Sequence, residues 1–102
     1  MNIVWTNEAR ARLRDIRAYI AEESPGVAAE VVHGLVVRSQ QLEVAPNSGR
    51  PVPEYPDESV RELLERPYRL IYQQVGDDIF ILTVQHYRQR LPRQLRDLAS
   101  GK

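Results

Sequence analysis

The sequence has 102 residues and contains no cysteine, a single lysine (Lys102), two histidines (His33 and His86), and one each of methionine, tryptophan and phenylalanine. Without cysteine there is no disulfide framework, no thiol nucleophile and no thiolate-ligated zinc. The histidines are far apart and lack companions at metal-ligand spacing, so neither a metal nor a cofactor is expected. Gly-rich phosphate loops, HExxH and G-x-S-x-G are all missing. No apolar run approaches the roughly 18–20 residues of a membrane helix, and residues 1–12 hold no apolar core of signal-peptide length. The sequence therefore reads as a soluble, cytoplasmic protein without membrane contact. Its length fits one domain over residues 1–102, too short to add a dinucleotide-binding module.

Fourteen basic and fourteen acidic residues give a formal charge of zero, so no global field draws the chain to nucleic acid or anionic lipid. All the basic residues except Lys102 are arginine. That is either a coding bias or a use of the planar guanidinium fork for carboxylate and phosphate.

Hydrophobic periodicity gives the elements. Ile3, Val4 and Trp5 are strand formers, followed by a Thr6-Asn7 helix start. Ala9, Leu13, Ile16 and Ile20 recur at helical spacing, so residues 7–23 form helix one. Ser24-Pro25 supplies an N-cap and a proline suited to the first helical position. Helix two runs from Pro25 to about Leu42, with Ala28, Val31, Val32, Leu35, Ser39 and Leu42 inward. The tight join makes an antiparallel helix hairpin. Residues 45–59 are a Pro/Gly-rich loop, locally acidic over 54–58. Val60–Leu64, Tyr68–Gln73 and Ile79–Gln85 are strands whose short connections require antiparallel hairpins. A short helix from about Pro92 places Leu91, Leu95 and Leu98 at helical spacing. The expected fold is α+β: a two-layer β-α-α-β-β-β domain with an antiparallel sheet packed on the helix hairpin and a short C-terminal helix. Leu13, Ile16, Leu35, Leu70 and Leu82 are the expected core.

The candidate chemistry lies on the sheet and its exit. Alternation puts Tyr68, Leu70 and Tyr72 on one face and Arg69 on the other. His86, closing the last strand, is expected to approach Arg69 there. Arg69 and Arg61 could then stabilise a scissile phosphate while His86 or Tyr87 moves protons. The plainer reading pairs Arg61 and Arg69 with Glu62 or the acidic loop. Arg88, Arg90, Arg93 and Arg96 form a basic tail: a phosphate patch, a landing strip for an acidic partner, or a solvated end.

Five stretches carry a family resemblance. They are Val4-Trp5-Thr6 with Glu8-Ala9; Ser24-Pro25; Leu42-x-x-x-Pro46 with Gly49-Arg50-Pro51-Val52-Pro53-Glu54; Val60-Arg61-Glu62-Leu63 with Tyr68-Arg69-Leu70-Ile71-Tyr72; and Val84-x-His86 with Arg88. In this order the chain resembles the RelE/ParE superfamily of toxins from bacterial type II toxin–antitoxin modules. The resemblance implies the same β-α-α-β-β-β fold. It also implies a cognate antitoxin whose C-terminal segment wraps the toxin, forming a toxin–antitoxin hetero-oligomer that represses its own promoter.

Two activities occur in the superfamily. RelE-like members cut mRNA on the ribosome with a basic sheet and acid/base residues near the C-terminus; ParE-like members poison DNA gyrase. Arg69 matches the shared strand motif. The sheet here has no lysine, and Val84-Gln85-His86-Tyr87-Arg88 looks like the ParE-like ending. The resemblance thus favours a ParE-like gyrase inhibitor. The alternatives are a RelE-like endoribonuclease using Arg69, Arg61, His86 and Tyr87, and an inactive homologue that only binds antitoxin. Arg88, Arg90, Arg93 and Arg96 are the expected partner-binding residues.

Overall fold

The computed structural model describes residues 1–99. The order is β1 (Asn2–Trp5), α1 (Asn7–Ala21), α2 (Pro25–Gln40), a single 3-10 turn (Gln41–Glu43), β2 (Arg50–Pro51), β3 (Arg61–Glu65), β4 (Tyr68–Val75), β5 (Asp78–His86) and α3 (Arg96–Ala99). The α+β architecture and the helix hairpin are as the sequence implies. Helix one stops at Ala21 rather than 23, and helix two tightens into its 3-10 turn before Leu42. The terminal helix starts four residues later than Pro92 suggested, at Arg96.

Side-chain caps set the helix starts. Thr6 Oγ1 accepts from the Ala9 amide at 3.1 Å, and its hydroxyl lies within 3.1 Å of the Ile81 and Leu82 carbonyls of β5. One residue thus ends β1, starts α1 and fastens both to the sheet. Ser24 Oγ accepts from the Val27 amide at 3.2 Å, with Pro25 opening α2. Both caps satisfy amides that lack intrahelical partners.

The sheet order is β1-β5-β4-β3-β2. The three long strands and β2 are antiparallel. β1 adds a parallel pairing to β5, with Val4 opposite Phe80; the long connection this needs runs through the helix hairpin to the far edge of the sheet and back through β2, β3 and β4. β5 is therefore an inner strand, consistent with its apolar run.

Both faces of the sheet carry a core. On the helix side Ala9, Leu35, Leu42, Leu63, Leu70, Tyr72, Ile79, Ile81 and Val84 are buried, with Leu13, Ile16 and Trp5 half-buried against them. On the other side the 52–60 segment and the tail form a smaller layer of Val52, Tyr55, Val60, Ile71, Leu91 and Leu98, with Leu82 and Leu95 packed on it. The second face is thus covered. The Tyr55 hydroxyl donates to the Pro92 carbonyl at 2.6 Å, joining loop to tail.

A bulge sets the phase of β5. Ile71 pairs with Thr83, whereas Tyr72 pairs with Ile81, so Leu82 is the extra residue. Ile79 and Ile81 face the helices before the bulge, and Val84 faces them after it. An unbroken alternation would have reversed Val84 and His86.

Candidate functional site

Arg69 lies on the covered second face. Its Nε donates to Glu62 Oε1 at 2.6 Å, and its Nη1 and Nη2 donate to the two Glu54 oxygens at 2.8 and 2.7 Å. Glu62 projects from β3 on the same face and is buried; its second oxygen accepts from Arg50 Nε at 2.5 Å. Glu54 reaches Arg69 from the loop after β2. All three donor positions on the Arg69 fork are in use, in the bidentate geometry that guanidinium and carboxylate share. The charges of Arg50, Arg69, Glu54 and Glu62 cancel.

Electrostatics follow from these contacts. The hydrogen bond from Arg69 holds the Glu54 carboxyl below its ordinary range against the opposing effect of burial. The two carboxylates, Glu54 first, hold the Arg69 guanidinium still more firmly protonated than usual. Arg69 is a fixed, internally neutralised cation.

The other candidates do not gather round it. Arg61 stands opposite Tyr72, whose ring belongs to the helix-side core, and its Nη1 donates to the Gly49 carbonyl at 2.8 Å. Among the described residues it pairs with neither Glu62 nor the acidic loop. His86 pairs with Tyr68, and the two rings meet edge to face at 5.6 Å between centroids. It therefore sits on the helix face, away from Arg69, because the bulge at Leu82 turned the end of β5 over. Tyr87 is exposed beyond the strand; its amide donates to the Pro67 carbonyl at 2.9 Å. Arg61 and His86 oppose positions four residues apart on β4, about 13 Å along a strand. Neither His86 nor Tyr87 is among the groups bonded to the Arg69 guanidinium; those are the Glu54 and Glu62 carboxylates.

The exit from β5 is a tied turn. The Arg88 amide donates to His86 Nδ1 at 3.1 Å, leaving Nε2 to carry the ring proton, and the Gln89 amide donates to the His86 carbonyl at 2.9 Å. Arg88, Arg90, Arg93 and Arg96 are all exposed. Arg93 and Arg96 line a groove shared with Glu54, Asp57 and Glu58. The acidic and basic runs, distant in sequence, are neighbours in space.

Two features were not singled out in the sequence. One is the outer edge of β1. The Asn2 and Thr6 amides donate inward to Asp77 and Ile81, so the alternation of a parallel ladder turns the backbone groups of Ile3 and Trp5 outward. A shallow, mostly apolar groove lined by Ile3, Val4, Trp5, Arg10, Leu13 and Val36 adjoins that edge. The other is Tyr19, 77% exposed; an aromatic off the apolar stripe of α1 was the available signal.

No cluster of three or more His, Asp or Glu able to hold a metal occurs among the described residues, and no helix there is long and apolar enough to cross a membrane.

Comparison with known proteins adds ancestry to this geometry. Residues 3–91 match the family described as ParE toxin of type II toxin-antitoxin system, parDE. A curated protein of Sinorhizobium fredii (strain NBRC 101917 / NGR234), named "Putative toxin Y4kP", is 39% identical over 95 residues, covering 91% of this chain and 95% of the relative. A solved structure titled "Chromosomal ParDE TA system from P. aeruginosa" superposes with a TM-score of 0.73 and 31% identity, covering 84% of this chain and 95% of that one. With its sheet, helix hairpin and strand motifs matched over nearly its whole length, the chain belongs to the ParE family of type II toxin–antitoxin toxins.

Proposed function

We propose that this toxin arrests growth by binding DNA gyrase, not by cutting RNA, and that a cognate antitoxin neutralises it. The observation that carries this reading is the closed fork of Arg69. A ribosome-dependent nuclease would need Arg69, Arg61, His86 and Tyr87 around one phosphate. Here Arg69 is filled by two carboxylates, and the others lie on different parts of the surface. A toxin without an assembled acid/base site acts through contact with its target. Membership of the ParE family supports gyrase as that target.

The antitoxin docks on the β1 side. An open strand edge accepts an extended peptide by main-chain hydrogen bonds, and the adjoining apolar groove takes alternate side chains. The relative titled as a ParDE system supports such a partner. Of the tail arginines, Arg90 is the one left to meet acidic antitoxin residues, since Arg93 and Arg96 share a groove with the acidic loop and Arg88 belongs to the separate surface at the exit of β5.

The test is a gyrase supercoiling and cleavage assay with purified, antitoxin-free protein. Loss of supercoiling with trapped cleaved DNA is the expected result. Unperturbed gyrase, from protein shown to arrest cells, would overturn the reading and turn attention to ribosome-bound mRNA.

A further inference from the structure

At the end of the sheet where β5 exits, aromatic and cationic side chains from three parts of the chain come together. Tyr68 opens β4 and meets His86 edge to face at 5.6 Å. Tyr87 follows, its amide tied to the Pro67 carbonyl, so the turn carrying Arg66 lies against the turn carrying Arg88. Tyr19 comes from the last turns of α1. Burial raises the Tyr68 phenol above the usual tyrosine range and Tyr19 adds to that shift, while α1, which carries Tyr19, packs against β5, which carries His86. Tyr19 and Tyr87 are 77% and 40% exposed. Arg66 and Arg88 are exposed, and neither joins an ion pair among the described residues.

Arg10, Arg14, Arg17, Arg90 and Arg93 likewise join no ion pair among the described residues; what sets Arg66 and Arg88 apart is the tyrosines beside them. Exposed tyrosines beside unpaired arginines are the composition of interface hot spots. Backbone and ring contacts hold the turn, so its backbone needs no ordering on binding, while the two arginine side chains still lose rotamer freedom.

We propose that Tyr19, Tyr68, Tyr87, Arg66 and Arg88, with His86 as their support, form the surface by which the toxin grips an acidic protein face of its target. This deepens the gyrase reading and rests on it. The antitoxin's site at the β1 edge is a separate surface, and charge complementarity selects the occupant: two free guanidinium groups call for carboxylates, and two exposed phenols call for shallow apolar recesses with acceptors at the rim.

The test uses Tyr19→Ala and the double variant Arg66→Ala/Arg88→Ala, all at exposed positions, with thermal unfolding as a check on folding. Each is titrated against gyrase supercoiling, and antitoxin affinity is measured in parallel. The expected result is that about tenfold or more variant is needed for equal inhibition, with antitoxin affinity within about twofold of wild type. Equal potency would overturn the proposal. So would a parallel loss of antitoxin affinity, which would assign the patch to the antitoxin. Weakened binding to a single-stranded DNA oligonucleotide, with gyrase inhibition unchanged, would overturn it in favour of nucleic acid. If the wild type leaves gyrase untouched, the gyrase reading fails by itself. Growth arrest on induction then reads the same variants: weakened arrest supports the patch, and undiminished arrest overturns it.

Discussion

Arg69 and Glu62 are diagonal neighbours on adjacent strands, joined by a 2.6 Å bond between Arg69 Nε and Glu62 Oε1 with both side chains buried. Removing one partner strands the other's charge in the protein, which costs about 3–5 kcal/mol for buried pairs. Arg69→Ala and Glu62→Ala should each lose that much in urea unfolding. Glu54→Gln should lose far less, because its side chain is 40% exposed and solvent replaces the contact. The double variant Arg69→Met/Glu62→Leu should recover most of the loss. Equal effects for Glu54 and Glu62 would show that the loop pair, not the strand pair, anchors the network.

The same network predicts an acid response. Glu54 titrates below its ordinary value of 4.5 in the folded chain. A carboxylate with a depressed folded pKa contributes stability that is present above its unfolded pKa and lost as pH falls through the folded one. Glu54's share should therefore be constant from neutral pH down to about pH 5 and fall away below pH 4.5. Comparing wild type with Glu54→Gln by urea unfolding across that range isolates it. The stability gap between them should narrow on acidification; a constant gap would mean that the Arg69 contact does not favour the charged form.

How much of this was legible in the sequence depended on periodicity. The helix stripes and the Ser24-Pro25 join fixed the hairpin, because caps and a 3.6-residue repeat are local signals. The short gaps around Arg66-Pro67 and Gly76-Asp77-Asp78 fixed the antiparallel strands. The parallel seat of β1 beside β5 was not readable, since it depends on a crossover closing in three dimensions. The bulge at Leu82 decides where His86 lies, whereas Arg61 is parted from Arg69 by strand alternation, standing opposite Tyr72. In an apolar run where both faces are covered, alternation carries no phase information, so His86 was assigned to the Arg69 face. The Arg69 partners were within reach of the plainer reading, because Glu62 and the 54–58 carboxylates were the nearest acids available.

Two cores on opposite faces should respond separately to truncation. Leu35→Ala and Leu70→Ala remove fully buried side chains from the helix-side core and should each cost about 2–5 kcal/mol. Leu98→Ala loosens only the smaller layer under the tail. Hydrogen exchange should then speed up around residues 91–98 before it does in β5. Val44→Ala, at a side chain 90% exposed, should stay within about 0.5 kcal/mol. If Leu98→Ala destabilised the whole chain as much as Leu35→Ala, the two layers would be one cooperative unit.

Gly49 is a position where close approach, not backbone angle, demands glycine. A Cβ there would stand 2.6 Å from the Glu62 carbonyl oxygen and 2.7 Å from Tyr72 Cε1 and its hydroxyl oxygen. The Gly49 amide donates to that hydroxyl at 3.0 Å, and the hydroxyl donates to the Pro46 carbonyl at 2.9 Å. Tyr72 thereby pins the 46–51 loop, whose Gly49 carbonyl holds Arg61. Gly49→Ala should cost about 1–3 kcal/mol by overpacking. Tyr72→Phe should cost about 1–3 kcal/mol by leaving a buried amide unpaired. The costs of Gly49→Ala and Tyr72→Leu should not add. Tyr72→Leu removes the ring atom and the hydroxyl that the new methyl meets, so part of the alanine cost disappears, while the contact with the β3 carbonyl remains. A double-mutant cycle in urea measures the coupling. Full additivity would show that the Glu62 carbonyl alone excludes a side chain at 49, leaving Tyr72 to hold the loop only through its hydroxyl.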